Sequence, residues 1–541
     1  MNIQKFHTIQ KILKKNTFLP YFIIFEVAFI VFYFLQNQLT FADPDSFYHV
    51  KMAILMKEHG IIRDFPWLQF TVLKNYYTDH HLLYHIALIP FISILPPLVG
   101  VKLATIIFSS SAITVFYWLL RKLEVRGAWF YAFVLMVSAS FIFRINLAKA
   151  QSLALIAFFI AYYLIEQKKI YSLAIFSFIY VWLYGGWPLI FVVFGVYFLT
   201  GLLFQFKFYK KNLAGRIREF FYGTHYYFDT KGMFQWIQSQ HKSLAAICVG
   251  IAAGLVINPY FPKNLFFYWY QIIHVAVINY KGKIGVGGEW YGYNPIELIS
   301  SSSLAFIVVI VACTFFILAI GRQTIRSVSL MFLTVTFFIL TIKSRRNVEY
   351  LIPTMLLFSG VSLTIFADTV NIKNFYRELK SFFMEQKILF IAALIPLFLI
   401  PYVIGRDYMV VRGIYGDGQK FDKYRGALEW LQVHSPKNSI VFHSDWDEFP
   451  ILFYHNTHNY YIVGLDPTFM YDYDQSLYRK WKDVTTGQEK SNIYSIIKND
   501  FRSEFVFVSL DRHESFDNNL KDNFLFEKVY QDGKLKIYKV L

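Results

Sequence analysis

Two aspartates separated by one proline are the residues of this chain best placed to do chemistry. Asp43 and Asp45 follow an apolar run that ends at Leu35, and they open a polar segment. Carboxylates beside a bilayer are costly unless they bind a metal ion, bind a substrate or face water. Side chains at i and i+2 of an extended backbone point to one side, and Pro44 biases Asp43 toward that conformation. Two such oxygen ligands suit Mg²⁺ or Mn²⁺ that also holds a phosphate.

The two aspartates also have a structural interpretation, because aspartate is favoured where a helix begins. The same choice exists for Asp79, His80 and His81, which lie farther along the polar segment. They can ligate a metal ion or contact a phosphate, but Asp79 can equally cap a helix over residues 80–96. We expect the capping role and keep Asp79 and His80 as additional candidate metal ligands.

The composition is that of an integral membrane protein. Apolar residues make up 56% of the chain, 16% of residues are charged, and the mean hydropathy is +0.39. Hydropathy windows predict about eleven spanning helices. The approximate ranges are 18–36, 100–120, 128–143, 151–165, 170–184, 187–205, 243–258, 299–320, 325–342, 350–368 and 388–405. We expect the short apolar stretch 82–96, which ends in two prolines, to be interfacial or re-entrant.

The distribution of charge predicts the topology. A net charge of +17 raises the question of nucleic acid, but the basic residues cluster between apolar segments, so they are topology signals and contacts to anionic lipid. With eleven spans, the basic loops and the N-terminus all lie on the predicted cytoplasmic side. No small-residue cleavage site follows the first apolar run, which favours an uncleaved anchor. Loops 37–99 and 259–298 then face the extracytoplasmic side, across the plasma membrane if the source is prokaryotic.

The C-terminal part of the chain has a different pattern. From residue 406 long apolar runs stop and charged residues become more frequent. We predict an extracytoplasmic α/β domain over 406–541, after a multi-spanning domain over 1–405. The predicted strands are 439–442, 460–463, 505–508, 525–530 and 534–540, and the predicted helices are 421–433, 474–484, 491–499 and 513–521.

The order of these parts resembles the GT-C class of glycosyltransferases, which use polyisoprenyl-phosphate sugar donors. Within that class the chain is most similar to the catalytic subunit of oligosaccharyltransferase in its prokaryotic single-subunit form. The segment DPDSFYHVK, from Asp43 to Lys51, resembles the family's first external loop. The resemblance implies that Asp45 is the catalytic, metal-binding aspartate and that Asp43 assists it.

Two further segments resemble parts of the family's site. The resemblance implies that Glu289, after two glycines, reaches the metal from a mobile external loop. It also implies that Arg345 or Arg346 holds the donor pyrophosphate, since a guanidinium group can bond phosphate oxygens in pairs. The alternatives are an interfacial turn at Glu289, and arginines that extend to the lipid headgroups.

The resemblance is incomplete at two places. Of the family's WWDYG motif, only Trp446 and Asp447 stand in register; the resemblance implies acceptor binding by these two residues, and a strand-to-helix turn is the alternative. Where the family has a second acidic pair, this chain has Arg144 and Lys149. Either the metal site is rebuilt from Asp43, Asp45 and Glu289, or positive charge replaces the metal beside the leaving phosphate. We therefore count Arg144 and Lys149 as candidate phosphate ligands.

The predicted function is a membrane glycosyltransferase that moves a sugar or oligosaccharide from a polyprenyl-(pyro)phosphate donor to a protein or glycan acceptor. This prediction includes a role in protein glycosylation and a divalent Mg²⁺ or Mn²⁺ ion as cofactor. It also includes contacts with membrane lipids, and it excludes nucleic acid as a partner. One alternative is a GT-C transferase acting on glycolipid or polysaccharide. Another is a transporter or scaffold, but transport favours broken helices, mid-bilayer polar groups and an internal repeat, and we find no repeat.

Overall fold

The computed structural model describes residues 18–207, 227–369, 372–533 and 535–541, and most of them are helical. The α-helices are Leu19–Gln36, Asp45–His59, Leu73–Tyr76, Leu82–Ile94, Pro97–Lys122, Ala128–Met136, Ala139–Ile145, Gln151–Glu166, Ile170–Leu183, Leu189–Leu203, Thr230–Val256, Lys263–Tyr270, Pro295–Ser300, Ser303–Leu318, Ile325–Lys343, Val348–Thr369, Ile372–Glu385, Lys387–Gly416, Arg425–His434, Phe449–His455, Thr468–Tyr473, Gln475–Thr485, Ile493–Ser495 and Glu514–Lys521. Short 3₁₀ or π turns are Gln271–Ile278, Gly288–Trp290, Ile320–Arg322, Arg345–Asn347, Trp446–Glu448 and Ile496–Asp500. The basic N-terminal residues and much of the basic 206–242 loop, on which the predicted topology partly depends, lie outside the described residues.

Several helices are long and apolar enough to cross a membrane, so the chain is an integral membrane protein. Among the described residues five pass this test by themselves, namely Leu19–Gln36, Pro97–Lys122, Thr230–Val256, Ile325–Lys343 and Arg345–Thr369. The pair Ala128–Val137 and Ala139–Ile145 passes the test only together and is bent by 78°, as in a broken span or a re-entrant loop.

The predicted count of about eleven spans stays a prediction, because four of those ranges hold shorter helices. These are Gln151–Glu166, Ile170–Leu183, Leu189–Leu203 and Ser303–Leu318. At 1.5 Å per residue a helix of about 15 residues is roughly 23 Å long, less than the hydrocarbon thickness of about 30 Å. The last predicted range, 388–405, lies within the helix Lys387–Gly416, so the change in composition near residue 406 falls inside a helix.

The predicted interfacial stretch 82–96 forms the helix Leu82–Ile94, which folds back on Pro97–Lys122. The two helices approach closely at Gly100, where a Cβ atom would lie 2.6 Å from the carbonyl oxygen of Phe91. Leu82–Ile94 also packs on Asp45–His59, the helix that begins at the second aspartate. This packing fixes the first polar loop against the helical bundle.

The C-terminal part of the chain contains a mixed sheet with helices around it. Its strands are β5 (Ile440–His443), β6 (Tyr460–Tyr461), β7 (Ser503–Ser509), β8 (Phe526–Asp532) and β9 (Leu535–Val540). Their order is β6-β5-β7-β9-β8, with β5 parallel to both β6 and β7, and with β9 antiparallel to β7 and β8. Each predicted strand and helix of this part has a counterpart within a few residues of the predicted bounds.

The first polar loop packs directly on the C-terminal part. Strand β1 (Thr40–Phe41) pairs with β4 (Gln419–Lys420). Elsewhere, β2 (Phe206–Lys207) and β3 (Tyr227–Phe228) form a second two-stranded ribbon. The Trp67 indole donates to the carbonyl of Thr457 at 3.1 Å. The rings of Phe47 and Tyr454 meet at 5.6 Å, where Asp45–His59 lies against Phe449–His455. These contacts bring the loop with Asp43 and Asp45 to the same region as Trp446 and Asp447.

Candidate active site

Most of the residues selected from the sequence line a single cavity of about 1050 Å³. They come from segments that are far apart in the chain, and they are Asp43, Asp45, Arg144, Lys149, Glu289, Arg345, Trp446 and Asp447. Arg346 and His80 instead line a neighbouring cavity of about 130 Å³, which also touches Asp45, Lys149 and Glu289. Asp79 lines neither of these two cavities.

Asp43 and Asp45 converge on one cation. Lys149 Nζ lies 2.9 Å from Asp43 Oδ2 and 2.7 Å from Asp45 Oδ2. The two side chains do point to one side, but the predicted extended backbone is wrong. Pro44 is helical (φ −63°, ψ −31°) and precedes the first residue of the helix, while Asp43 Oδ1 accepts a hydrogen bond from the Asp45 N–H at 2.8 Å. One carboxylate oxygen of Asp43 therefore accepts a hydrogen bond at the start of the helix, and the other contacts Lys149.

The charges in this group influence one another. Loss of hydration in the cavity wall raises the pKa of Asp45, Lys149 opposes this and Asp43 adds to it, and the pKa lies at about 6. Burial lowers the pKa of Lys149, but the carboxylates of Asp43 and Asp45 more than compensate and raise it above its usual value. Lys149 is therefore charged at neutral pH, whereas Asp45 titrates just below neutrality.

Glu289 is held by two arginines. It lies in the turn Gly288–Trp290, with Oε2 2.8 Å from Arg144 Nη1 and Oε1 3.8 Å from Arg346 Nη1. Burial would raise the pKa of Glu289, but Arg346 and Arg144 lower it well below its usual range. The guanidinium of Arg346 also stacks on the Trp290 ring at 4.4 Å. Glu289 is thus an ionised carboxylate fixed at the boundary of the two cavities.

Arg144 has a second carboxylate partner that sequence reasoning missed. Glu349 Oε2 lies 3.2 Å from Arg144 Nη2, and both side chains are almost fully buried. The signal was present in the sequence: Glu349 is a carboxylate at the start of a long, mostly apolar stretch. Because two carboxylates neutralise it, Arg144 is a structural centre of the site as much as a candidate phosphate ligand.

The two consecutive arginines face different cavities. Arg345 lines the large cavity, donates to the carbonyl of Gly292 at 3.2 Å and pairs with Glu297 at 3.3 Å. The Arg345 side chain is 41% exposed, so its charge is more available to a ligand than that of Arg144. The short 3₁₀ turn that begins at Arg345 directs Arg346 to the other side, into the small cavity.

Asp79 does not cap the helix as we expected. The N-cap of the helix Leu82–Ile94 is His81, and no side chain makes a capping hydrogen bond there. Oδ1 of Asp79 instead accepts the backbone N–H of His81 at 3.0 Å, in the turn before the helix. Its Oδ2 lies 2.7 Å from Nδ1 of His85, and His85 Nε2 lies 2.7 Å from His49 Nδ1. Both oxygens of Asp79 are therefore engaged in a buried chain that lies beside the small cavity.

The residues present do not form a ready-made metal site. Within the described ranges no group of three or more His, Cys, Asp and Glu side chains is arranged to hold a metal ion. The carboxylates of Asp43 and Asp45 share the Lys149 ammonium group, and Glu289 is bonded to Arg144. The divalent ion stays a prediction.

Trp446 and Asp447 occupy the 3₁₀ turn Trp446–Glu448 at the end of strand β5. A capping box between Asp445 and Glu448 stabilises the turn. The alternative role as a strand-to-helix turn therefore applies to Asp445 and Glu448, which flank Trp446 and Asp447. Asp447 itself lies 3.5 Å from Arg512 and lines the large cavity with Trp446. Loss of hydration and the charge of Asp445 raise the pKa of Asp447 to about 6.

The fold is that of GT-C membrane glycosyltransferases, as the solved structures show. The chain is similar to the apo oligosaccharyltransferase of Archaeoglobus fulgidus, with a TM-score of 0.58 and 12% identity over 91% of this chain and 70% of that one. It is also similar to ArnT of Cupriavidus metallidurans bound to undecaprenyl phosphate, with a TM-score of 0.52 and 11% identity over 97% and 98% of the two chains. The predicted likeness to oligosaccharyltransferase-like GT-C proteins is thus confirmed.

A third similar structure is the arabinofuranosyltransferase AftD from Mycobacteria. Its TM-score is 0.54 and its identity 10%, over 97% of this chain but 40% of that one. No protein-family model and no curated protein matches the chain. At these identities the likeness concerns the fold, so the reaction has to be argued from the site.

Proposed function

We propose that this chain is a membrane glycosyltransferase that takes a sugar or oligosaccharide from a polyprenyl-(pyro)phosphate donor, on the extracytoplasmic side. One observation carries the proposal: carboxylates, cations and the Trp446–Asp447 turn line one cavity of about 1050 Å³ in a GT-C fold. The structure of ArnT with undecaprenyl phosphate supports the donor class, because a protein of the same fold binds a polyprenyl phosphate.

The large cavity has one wall suited to a lipid and another suited to a phosphate. Phe143, Val410 and Ile414 contribute apolar side chains, two of them from the helix Lys387–Gly416. Arg345 contributes an exposed guanidinium that can bond phosphate oxygens in pairs. A polyprenyl chain would lie on the apolar wall with its phosphate at Arg345, which is the chemistry that a lipid-linked donor requires.

The carboxylate group supplies the base. In the ionised state Asp45 accepts the proton of the acceptor nucleophile, which bonds to the anomeric carbon as the bond from that carbon to the phosphate oxygen breaks. The electron pair of that bond leaves with the phosphate, and Arg345 stabilises the added negative charge. Lys149 holds Asp43 and Asp45 in place and favours the ionised form of Asp45. Glu289, anchored by Arg144, borders the same space and helps to orient the nucleophile.

The acceptor is proposed to enter along Trp446 and Asp447. A protein acceptor is the first candidate, by likeness to oligosaccharyltransferase. A glycolipid or polysaccharide acceptor is favoured by one specific observation: Asp445, Glu448 and Phe449 stand where the WWDYG motif has Trp, Tyr and Gly. Transfer to a peptide with an Asn-X-Ser/Thr sequence, compared with transfer to a membrane glycolipid fraction, separates the two.

The proposal is tested with Asp45→Asn and the matched control Asp64→Asn. Asp64 belongs to the same loop, but its side chain is 82% exposed and pairs with Lys263 on the surface. With radiolabelled polyprenyl-phosphate sugars as donors, we expect Asp45→Asn to lose roughly a hundredfold or more in turnover, as removal of a general base does. Asp64→Asn is expected to match wild type. Equal turnover of Asp45→Asn and wild type would exclude Asp45 from the mechanism.

A further inference from the structure

The small cavity of about 130 Å³ contains features that the proposed reaction does not use. It adjoins the large cavity, since Asp45, Lys149 and Glu289 line both. Two glutamines line the small cavity but not the large one. They are Gln151, at the start of the helix Gln151–Glu166, and Gln271, after the helix Lys263–Tyr270. Whatever occupies the small cavity therefore touches the reacting carboxylate.

Three buried oxygens beside this cavity lack a hydrogen-bond partner in the part of the chain that the structure describes. They are Thr78 Oγ1, Gln151 Oε1 and Gln271 Oε1, and all three residues line the cavity. Thr78 is 1% exposed and Gln151 5% exposed, so bulk water does not reach them. Buried polar atoms are nearly always paired in native proteins. Three unpaired acceptors around one space indicate a ligand that donates several hydrogen bonds.

The rest of the lining identifies the chemistry of this ligand. The rings of Tyr184, Phe267 and Trp290 supply apolar faces. His80 adds an imidazole ring, whose nitrogens can donate or accept a hydrogen bond. Arg346 is directed at Glu289 and Trp290, which leaves little excess charge for an anion. The charged side chains of the lining are paired with one another, Lys149 with Asp45 and Arg346 with Glu289. Paired charges, neutral polar groups and aromatic faces together suit a hydroxyl-rich, uncharged ring.

The volume limits the ligand to one such ring. At about 30 Å³ per water molecule the cavity holds roughly four waters, and it is smaller than the approximately 300–1,000 Å³ of pockets for drug-sized ligands. The space therefore admits at most one sugar ring, and any further ring would have to lie in the large cavity.

We propose that the small cavity binds a single sugar ring, with Gln151, Gln271 and Thr78 accepting hydrogen bonds from its hydroxyl groups. This inference rests on the proposed glycosyl transfer. The ring is either the first sugar of the lipid-linked donor or the terminal sugar of a glycan acceptor, because both present the same hydroxyl chemistry. In either case the three side chains select among sugars, since a hydroxyl of the wrong configuration leaves a buried oxygen unpaired.

The test compares Gln151→Leu and Gln271→Leu with the control Gln240→Leu. Gln240 is equally buried and also has an unpartnered Oε1, but it lines none of the cavities described above. Thermal unfolding of the purified full chain in detergent is followed with undecaprenyl phosphate, with a panel of undecaprenyl-phosphate hexoses and pentoses, and with methyl glycosides of the same sugars. Thr78→Val, which is nearly isosteric, provides the test if a leucine variant does not fold.

For wild type and Gln240→Leu we expect at least one sugar of the panel to stabilise the protein beyond undecaprenyl phosphate itself. In Gln151→Leu, Gln271→Leu and Thr78→Val that increment is expected to correspond to an affinity about tenfold lower, the effect of one hydrogen bond. An increment with lipid-linked sugars assigns the ring to the donor, and an increment with methyl glycosides assigns it to the acceptor.

The results that contradict the two proposals differ. If undecaprenyl phosphate stabilises every variant but no sugar adds to it, or the increment survives in all three variants, the small cavity is not a sugar site, and at most ordered water fills it. If neither undecaprenyl phosphate nor any lipid-linked sugar stabilises wild type, the proposed function itself is wrong.

Discussion

At the scale of single residues, the feature that distinguishes this site is a lysine between two carboxylates. Lys149 Nζ lies within 3 Å of both Asp43 and Asp45, and its own side chain is 9% exposed. A buried cation in this position reduces the repulsion between the two carboxylates. A bound metal ion would have the same electrostatic effect. Burial raises the pKa of Asp45 and the lysine opposes this, so the lysine extends to lower pH the range in which Asp45 could act as the proposed base.

This arrangement predicts the acid limb of the pH–rate profile. Asp45 must be ionised to accept a proton, and its pKa lies at about 6, so transfer should fall as the pH drops through about 6. Lys149 lowers the pKa of Asp45 and Asp43 raises it. The limb should therefore move to higher pH in Lys149→Met and to lower pH in Asp43→Asn. The check is the transfer rate of both variants and of wild type, measured from roughly pH 4.5 to pH 8. If the acid limb has the same position in both variants as in wild type, a group other than Asp45 titrates there.

The Arg144–Glu349 pair predicts a difference in stability. Glu349 is 2% exposed in its side chain, so Glu349→Gln leaves a buried guanidinium with one carboxylate fewer and is expected to cost about 3 kcal/mol. Glu297→Gln removes the partner of the exposed Arg345 and should cost less than about 1 kcal/mol. Thermal unfolding in detergent measures both. Similar midpoints for the two variants would show that Arg144 does not depend on Glu349.

At the scale of elements, the turn Gly288–Trp290 is held in place by the segment that carries the arginines. The Arg345 N–H donates to the carbonyl of Tyr291 at 2.9 Å, and Ser344 Oγ donates to the carbonyl of Glu289 at 2.8 Å. Glu289 and Arg345 are thus fixed relative to each other through backbone contacts. These contacts hold the loop in the structure, and its mobility around Gly287 and Gly288 stays a prediction.

Gly292 is the position where this docking is most sensitive. A Cβ atom there would lie 2.0 Å from the carbonyl oxygen of Ile342, so Gly292→Ala must separate the two segments. We expect a loss in transfer on the order of a hundredfold, since displacements of about 1 Å at a site have that effect. Gly282→Ala, in the same external loop, has no atom within 4 Å of its new Cβ and should match wild type. Comparable losses in both variants would point to a general defect of the loop.

At the scale of the whole molecule, the first polar loop and the C-terminal part form one packed unit. The backbone N–H of Gln69 donates to the carbonyl of Tyr461 at 3.0 Å, next to a parallel bridge between Leu68 and Tyr461. Pairing of β1 with β4 adds a second attachment. Because the two regions are packed together, they have to lie on one side of a membrane, which the charge distribution predicts to be the extracytoplasmic side.

Cysteine labelling checks this topology in intact cells. In a background with Cys248 and Cys313 replaced by serine, single cysteines are placed at the exposed positions Asp64, Asp522 and Lys169. A membrane-impermeant maleimide should label the cysteines at 64 and 522 without permeabilisation, and the one at 169 only after it. Labelling of 64 and 522 from opposite sides would be incompatible with the packed unit and with a shared cavity.

Local patterns predicted much of the fold and part of the site. Strand β7 and the helix Glu514–Lys521 were predictable, because alternation and amphipathic spacing are local properties. Asp45 was a candidate because carboxylates are costly beside apolar spans, whereas Glu289 was a candidate because of the resemblance to the family. The contact of Lys149 with both aspartates, and the role of Glu349 at Arg144, were not predictable. They join positions more than 100 residues apart in the chain.

By itself, the sequence determined that this is a membrane protein with most candidate site residues in a few polar loops, since hydropathy and charge are local properties of the chain. The resemblance to the GT-C class rested on the order of the parts and on short motifs. Only the tertiary structure decided which charges neutralise one another. It placed Lys149 between the aspartates, separated Arg345 from Arg346 into two cavities, and left the oxygens of Gln151 and Gln271 unpaired beside the smaller one. The physical reason is that ion pairing and hydrogen bonding depend on distances of a few ångströms, which packing of remote segments sets.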